Sequence, residues 1–237
     1  MVRPLFVIAA VLALAGTLAM VGHRMLRDTA GSGQSFDRVL VDGSGPNEPW
    51  GKGVGDIDGD GIADLVVGGR AEGGLVWYRG LDRSRHVIDA SGSFSTDVEI
   101  ADIDGDGRMD VVAVMADRLA WFRRAPDGRW HEQPIARMRA HDIEVGDLDG
   151  DGIPDLVARN QSAFGGDGNR IHLFFGSRDG RWTERIVEGP PGEGLRLADL
   201  DGDGRPDVTI NAWWYRNPGP RSGNWTGFRY AGDWDWP

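Results

Sequence analysis

The chain has no cysteine in 237 residues. That excludes disulfide staples and any zinc or redox site built on thiolates. Beyond the N-terminus it lacks a long apolar segment with a 3.6-residue period, so helices are not expected to build its core. Histidines are few (His23, His86, His131, His141 and His172), and none stands in a metal-ligand spacing such as H-E-x-x-H. No G-x-S-x-G elbow, P-loop or dinucleotide fingerprint occurs, so no catalytic motif is visible and an enzyme is not expected. An excess of positive charge is also missing. The formal net charge is −11 and the isoelectric point near 4.8, which argues against nucleic acid and anionic membrane surfaces as partners.

What is present in excess is glycine, 37 residues, beside 40% hydrophobic residues, enough for a buried core. Short apolar runs bounded by Gly, Asp, Asn and Pro read as strands and turns. The length allows one large domain or two small ones.

The N-terminus differs from the rest. Leu5 to Gly22 is an apolar run of 18 residues without a charge, preceded by Arg3 and followed by His23, Arg24 and Arg27. Residues 1–29 therefore read as a signal peptide or an N-terminal membrane anchor. Ala13-Leu14-Ala15 resembles a small-residue cleavage site, whereas the length of the run and the basic residues after it favour an uncleaved anchor. Either one exports the remainder to the extracellular or periplasmic side, with the membrane touched only by this segment. Residues 30–35 read as a linker.

A nonapeptide then recurs four times: DIDGDGIAD at 56–64, DIDGDGRMD at 102–110, DLDGDGIPD at 147–155 and DLDGDGRPD at 199–207. The starts are 46, 45 and 52 residues apart. Each copy packs four carboxylates into nine residues: Asp56, Asp58, Asp60 and Asp64; Asp102, Asp104, Asp106 and Asp110; Asp147, Asp149, Asp151 and Asp155; Asp199, Asp201, Asp203 and Asp207. Unneutralised, they repel at short range. A hard dication removes that penalty, and Ca²⁺ takes six to eight oxygens in flexible geometry, whereas Mg²⁺ is seldom held by an all-protein cage. Glycines at positions 4 and 6 let the carboxylates converge. The backbone carbonyl at position 7 (Ile62, Arg108, Ile153, Arg205) is the natural fifth protein oxygen. An EF-hand would need Glu at position 12 and flanking helices; position 12 is Val67, Ala113, Ala158 and Ile210, and the flanks are β-rich. The alternative of metal-free Asp-Gly turns does not account for four carboxylates per loop. About four Ca²⁺ would bring the formal charge from −11 to about −3, ordinary for a soluble surface.

The repeat extends beyond the loop. An alternating strand precedes it (Val98 to Ala101, Ile143 to Gly146, Leu195 to Ala198), and an apolar strand follows. An aromatic strand comes next: Leu75 to Arg79, Leu119 to Arg123, Ile171 to Phe175, Ala212 to Arg216. After a turn, a last strand closes the unit (His86 to Ile88, Glu132 to Ile135, Thr183 to Val187). Four strands in about 45 to 50 residues is the period of a propeller blade. The expected fold is all-β, a β-propeller of four-stranded blades, with about four blades over residues 36–237. Trp77, Trp121 and Trp214 recur at equivalent places and read as blade-to-blade packing rather than a carbohydrate platform.

With its D-x-D-G-D-G-x-x-D loop between strands at blade spacing, the chain resembles the FG-GAP/VCBS repeat family and is similar to the calcium loops of integrin α-subunit propellers. Trp77-Tyr78-Arg79 and the stretch Trp214 to Gly219 resemble the bacterial VCBS branch. The resemblance implies a calcium-stabilised, usually extracellular propeller, serving in adhesion, ligand binding or as accessory to a secreted enzyme.

Phe36 to Val41 reads as the last strand of a blade although it precedes the first loop, and Thr226 to Tyr230 reads as another. Five last strands against four loops suggest a propeller continuing past residue 237, of seven blades or so. Candidate ligand residues are Asp97, His141 and Asp142, just before their loops, and Asn160, Asp167 and Asn169 in the polar insertion 160–170 of the third repeat. The expected function is an exported, calcium-binding module for an extracellular protein or glycan, or a scaffold. The alternative is the propeller of, or accessory to, a secreted polysaccharide lyase or hydrolase.

Overall fold

A computed structural model describes residues 38–160, 169–190 and 193–232. The chain divides into two units, Met1–Leu40 and Val41–Pro237. The targeting segment and linker expected from the sequence lie outside the described residues. No helix among the described residues is long and apolar enough to cross a membrane.

The second unit is built of four antiparallel sheets of four strands, each in simple chain order. Blade 1 holds β1 (Asn47–Gly55), β2 (Asp64–Glu72), β3 (Leu75–Tyr78) and β4 (Arg85–Asp89). Blade 2 holds β5 (Phe94–Ala101), β6 (Asp110–Met115), β7 (Leu119–Arg124) and β8 (Trp130–Ala136). Blade 3 holds β9 (Ala140–Gly146), β10 (Asp155–Asn160), β11 (Arg170–Phe175) and β12 (Thr183–Glu188). Blade 4 holds β13 (Arg196–Ala198), β14 (Asp207–Ile210), β15 (Trp213–Arg216) and β16 (Thr226–Arg229). These are β-propeller blades, as the repeat spacing predicts. In every blade the residue before the acidic loop pairs with the loop's ninth: Gly55 with Asp64, Ala101 with Asp110, Gly146 with Asp155, Ala198 with Asp207. The loop thus closes the hairpin between first and second strands.

The core lies between blades. Period-2 alternation sends successive side chains of a strand to opposite faces. On β6, Val111 and Ala113 join Val66, Leu75 and Trp77 of blade 1, while Val112 and Val114 join Leu156 and Ala158 of blade 3. On β10, Val157 turns the other way, to Val208 and Ile210 of blade 4. Every residue of β6 is buried. Each such valine contributes roughly 1.5–3 kcal/mol relative to an exposed one. Trp77 and Trp121 lie in these interfaces, as expected, and so do the turn-following tryptophans: Trp130, Trp182 and Trp225 each pack on the core shared with the preceding blade. Trp214 is half-buried against Phe228, at 5.0 Å between ring centroids.

One expected strand does not form. Phe36 and Asp37 lie outside the described residues, and Arg38 to Val41 run without regular structure, with Val39 and Leu40 exposed. Among the described residues the four sheets each take their four strands from residues 47–229, and the segment pairs with none of them. The chain just after it braces blade 1 instead. Tyr78 donates its hydroxyl to Asp42 Oδ2 (2.7 Å) and to the Gly45 carbonyl (2.9 Å).

Blades 1 and 2 approach closely where β1 crosses β5. A Cβ at Gly53 would sit 2.7 Å from the Val98 carbonyl oxygen, and one at Gly51 2.8 Å from that of Ser95. Valine suits a strand intrinsically, yet Gly53→Val should destabilise by about 1–3 kcal/mol through overpacking. The check is a lower urea midpoint with an unchanged m-value.

Candidate metal centres

Each acidic loop is wound around its first aspartate. Asp56 Oδ1 accepts from the N–H of Gly59 (2.8 Å) and Asp60 (3.1 Å), and Oδ2 from that of Gly61 (2.8 Å). Asp147 and Asp199 repeat the pattern with Gly150, Asp151 and Gly152, and with Gly202, Asp203 and Gly204. Asp102 accepts from Asp106 and Gly107. The tight winding requires left-handed backbone at positions 4 and 6: φ is +79° at Gly59 and +84° at Gly61, a region that side chains disfavour. The position-5 carboxylate accepts from the N–H of position 7, fixing that peptide: Ile62 (2.8 Å), Arg108 (3.0 Å), Ile153 (2.9 Å) and Arg205 (3.0 Å).

The ninth aspartate is a buried staple. Asp64 accepts from Ile57 N–H (2.9 Å) through one oxygen and from Gly80 N–H (2.8 Å) through the other, tying the loop's start to the end of β3. Asp155 does so with Leu148 and Gly176, and Asp207 with Leu200 and Asn217. Asp110 accepts from Arg124 N–H (2.8 Å), and the Trp121 side chain and the Ile103 backbone also favour its ionised form. Burial pushes the carboxyls of Asp110 and Asp155 up to about 6, against the N–H groups that favour the ionised form.

In the first three loops one oxygen from each of positions 1, 3 and 9 lies within 4.8 Å of the others: Asp56, Asp58 and Asp64; Asp102, Asp104 and Asp110; Asp147, Asp149 and Asp155. In the fourth the converging set is Asp199, Asp201 and Asp203. The fourth carboxylate of each loop (Asp60, Asp106, Asp151 and Asp207) stands outside that cluster. An all-oxygen anionic donor set of three converging carboxylates fits a hard cation such as Ca²⁺.

Sequence reasoning missed the arginines at these loops. Arg79 binds Asp58 (2.6 Å) and Asp60 (2.9 Å). Arg123 binds Asp104 and, at 3.4 Å, Asp106. Arg216 binds Asp201 (2.6 Å) and lies 3.7 Å from Asp203. Arg221 binds Asp149 and, at 2.9 Å, Asp151. The signal was present in part, since Arg79, Arg123 and Arg216 each follow the aromatic of the third strand.

The other candidates lie at the opposite ends of the strands. Asp97 Oδ2 accepts from Ile143 N–H of blade 3 (3.0 Å), and Asp142 Oδ2 from Gly194 N–H of blade 4 (3.1 Å), so both carboxylates link neighbouring blades. His141 lies between Asp142 (2.8 Å) and Glu193 (3.3 Å), and the Asp142 hydrogen bond raises its pKa. Asn160 ends β10, and Asn169 accepts from buried Arg159 (2.8 Å). Asp167 lies outside the described residues. Nearby, Glu144 pairs with Arg196 (2.7 Å), and burial, then Glu144 and Asp97, push Glu99 up to about 7.

Between blades 1 and 2 lies a cleft of about 580 Å³ lined by Trp77, His86, Arg79, Arg124 and Trp130 among others.

The FG-GAP-like repeat pattern matches residues 56–113 and, overlapping them, 102–158. No curated protein matches the chain. Among solved structures, the chain is similar to a lectin of Agrocybe aegerita that recognises non-reducing terminal N-acetylglucosamine, at 20% identity and a TM-score of 0.56, over 84% of this chain and 58% of the lectin. The biofilm matrix protein Bap1 of V. cholerae aligns at 21% identity and a TM-score of 0.35, over 62% of this chain and 30% of that protein. The chain thus spans little more than half the lectin's length, and at such identities the likeness is one of fold.

Proposed function

This chain belongs to the FG-GAP-like repeat family, and from that premise we propose that it is an exported binding or adhesion module whose blades are stabilised by structural Ca²⁺. The observation that carries the metal reading is the convergence of three carboxylates in each of four separate loops. Asp56, Asp58 and Asp64, their counterparts in the second and third loops, and Asp199, Asp201 and Asp203 in the fourth would hold the ion, which would supply neutralising charge and cross-linking of the loop. Carboxylates committed in this way are poor general acids, because the ion holds them ionised. The working surface then lies beside the first loop, where Asp58 and Arg79 border it. The cleft between blades 1 and 2 combines indole rings with hydrogen-bonding groups, the mixture suited to a sugar or a polar peptide.

A glycan array probed with the purified exported portion, in Ca²⁺ and in EGTA, tests this. Binding to a restricted set of glycans, lost in EGTA, is the expected result. Absence of binding to any glycan or extracellular matrix protein in Ca²⁺ would leave a spacer role in its place.

The second reading, a polysaccharide-degrading propeller, is favoured by one feature. Glu99, with its pKa near 7 beside Glu144, has the property of a general acid. Release of reducing ends from acidic or neutral polysaccharides, abolished by Glu99→Gln, would favour that reading.

A further inference from the structure

We propose that the arginine lying on the third and fifth carboxylates of each loop is a resident counter-cation that competes with Ca²⁺, and that blade 4 supplies it to the loop of blade 3 through Arg221. The inference rests on the calcium reading above.

A substitution in blade 3 is compensated across a blade boundary. The N–H groups of Gly80, Arg124, Gly176 and Asn217 all donate to the ninth aspartate of their loop, which aligns the four repeats by hydrogen bonding. The residue before each is Arg79, Arg123, Phe175 and Arg216. Blade 3 therefore has phenylalanine where the others carry the clamping arginine. Its loop is not left bare. Arg221, in the turn between β15 and β16, crosses over, stacks its guanidinium 5.2 Å from the Phe175 ring centroid and reaches Asp149 and Asp151. A third bond, to the Gly176 carbonyl (3.4 Å), completes its seat. A different residue from a different blade thus delivers the same charge to the same two positions of the loop. In loops 2 and 4 a further arginine, Arg108 or Arg205, also binds the fifth carboxylate, so loops 1 and 3, with Ile62 and Ile153 there, each depend on the one arginine. Arginine also suits the task better than lysine, because its planar fork spans two carboxylates. Lys52 is the chain's one lysine.

Without metal, the arginine relieves repulsion among the loop's carboxylates. With metal, it is a like charge beside the dication and a rival for the same oxygens. Linkage then fixes the sign: stability lost by the metal-free form but not by the bound form returns as tighter binding.

The test is Arg221→Gln in the full chain, with Arg79→Gln as a companion that leaves the blade 3–4 boundary intact. Unfolding is followed in EGTA and in saturating Ca²⁺, and binding by calorimetric titration. The melting temperature of each variant should fall by about 2–4 °C in EGTA and by less than half of that in Ca²⁺. One class of sites should bind about threefold tighter. Arg221→Lys, which keeps the charge, should fall between wild type and Arg221→Gln. Equal losses in both buffers, or no loss in EGTA, would overturn the proposal while wild-type calcium stabilisation stands. A wild type indifferent to Ca²⁺ would instead defeat the reading beneath it, and the competition with it. Should Arg221→Gln fail to fold, Arg79→Gln decides.

Discussion

Transferred from EGTA into Ca²⁺ at about a hundred times its dissociation constant, the chain should melt at least about 20 °C higher. Mass action sets the size of the effect. A ligand bound only by the folded state at that excess contributes about 2.7 kcal/mol per site, and four loops with converging carboxylates, each at that excess, give about 11 kcal/mol in total. For a domain of this size each kcal/mol moves the midpoint by about 2–4 °C. The loops justify treating the sites as native-state sites. Their carboxylates converge only because glycines at positions 4 and 6 adopt positive φ and the ninth aspartate ties loop to strand. An unfolded nonapeptide has no such preorganisation. Calorimetric titration should count about four ions. A midpoint unmoved by Ca²⁺ would mean that the arginines alone balance the loops, and the calcium reading would be abandoned.

The second large effect is a reversal of pH dependence by the metal. In the metal-free protein Asp110 and Asp155 have pKa values near 6, against 3.8 for an ordinary aspartate, because burial disfavours their charged forms. A carboxyl raised on folding binds more protons in the native state than in the unfolded one between those values. Its stabilising contribution is therefore complete below about pH 4 and lost as pH rises through 6. A rise from 3.8 to about 6 corresponds to at most about 3 kcal/mol per group. Glu99, raised from 4.5 to about 7 by burial and by Glu144, adds a loss of the same sign at slightly higher pH. In EGTA, stability should fall from pH 4 to pH 7. In Ca²⁺ the ion favours the ionised loop, so stability should rise over the same range. Glu99→Gln should flatten the metal-free curve near pH 7 and leave the calcium-dependent rise in place. Parallel curves in the two buffers would overturn the assignment of Asp110 and Asp155 to a metal-binding loop.

The strands were legible in the sequence because their period and their repetition agree. Val98 to Ala101 and Ile143 to Gly146 alternate visibly, and the aromatic third strands recur at blade spacing. Arg38 to Val41 has the pattern of a strand but pairs with none of the four sheets. Pairing is decided by the tertiary structure, not by propensity. The acidic loops were legible down to the residue, whereas the charges that balance them were not. Arg79 lies 19 residues from Asp60, and Arg221 lies 72 from Asp149, so only the folded blades reveal the pairs. Asp97 and Asp142 show the same limit. Their position on the first strands is readable, but their hydrogen bonds to N–H groups of the next blade depend on which backbone lies alongside.

The chain order of the sheets has a consequence for how the protein comes apart. Every strand pairs with its neighbours in sequence, and packing between sheets steps from β1 to β5, β5 to β9 and β9 to β13. Such a molecule is close to a one-dimensional array, with stability set by each unit and by its contact with the next. Amides of β6 and β10, buried with a neighbour on each side, should exchange with solvent last, and those of the exposed outer strands β4, β8, β12 and β16 first. Because nearly all its pairings are local, the chain should also assemble quickly for an all-β protein of its length, each hairpin forming before the next is needed.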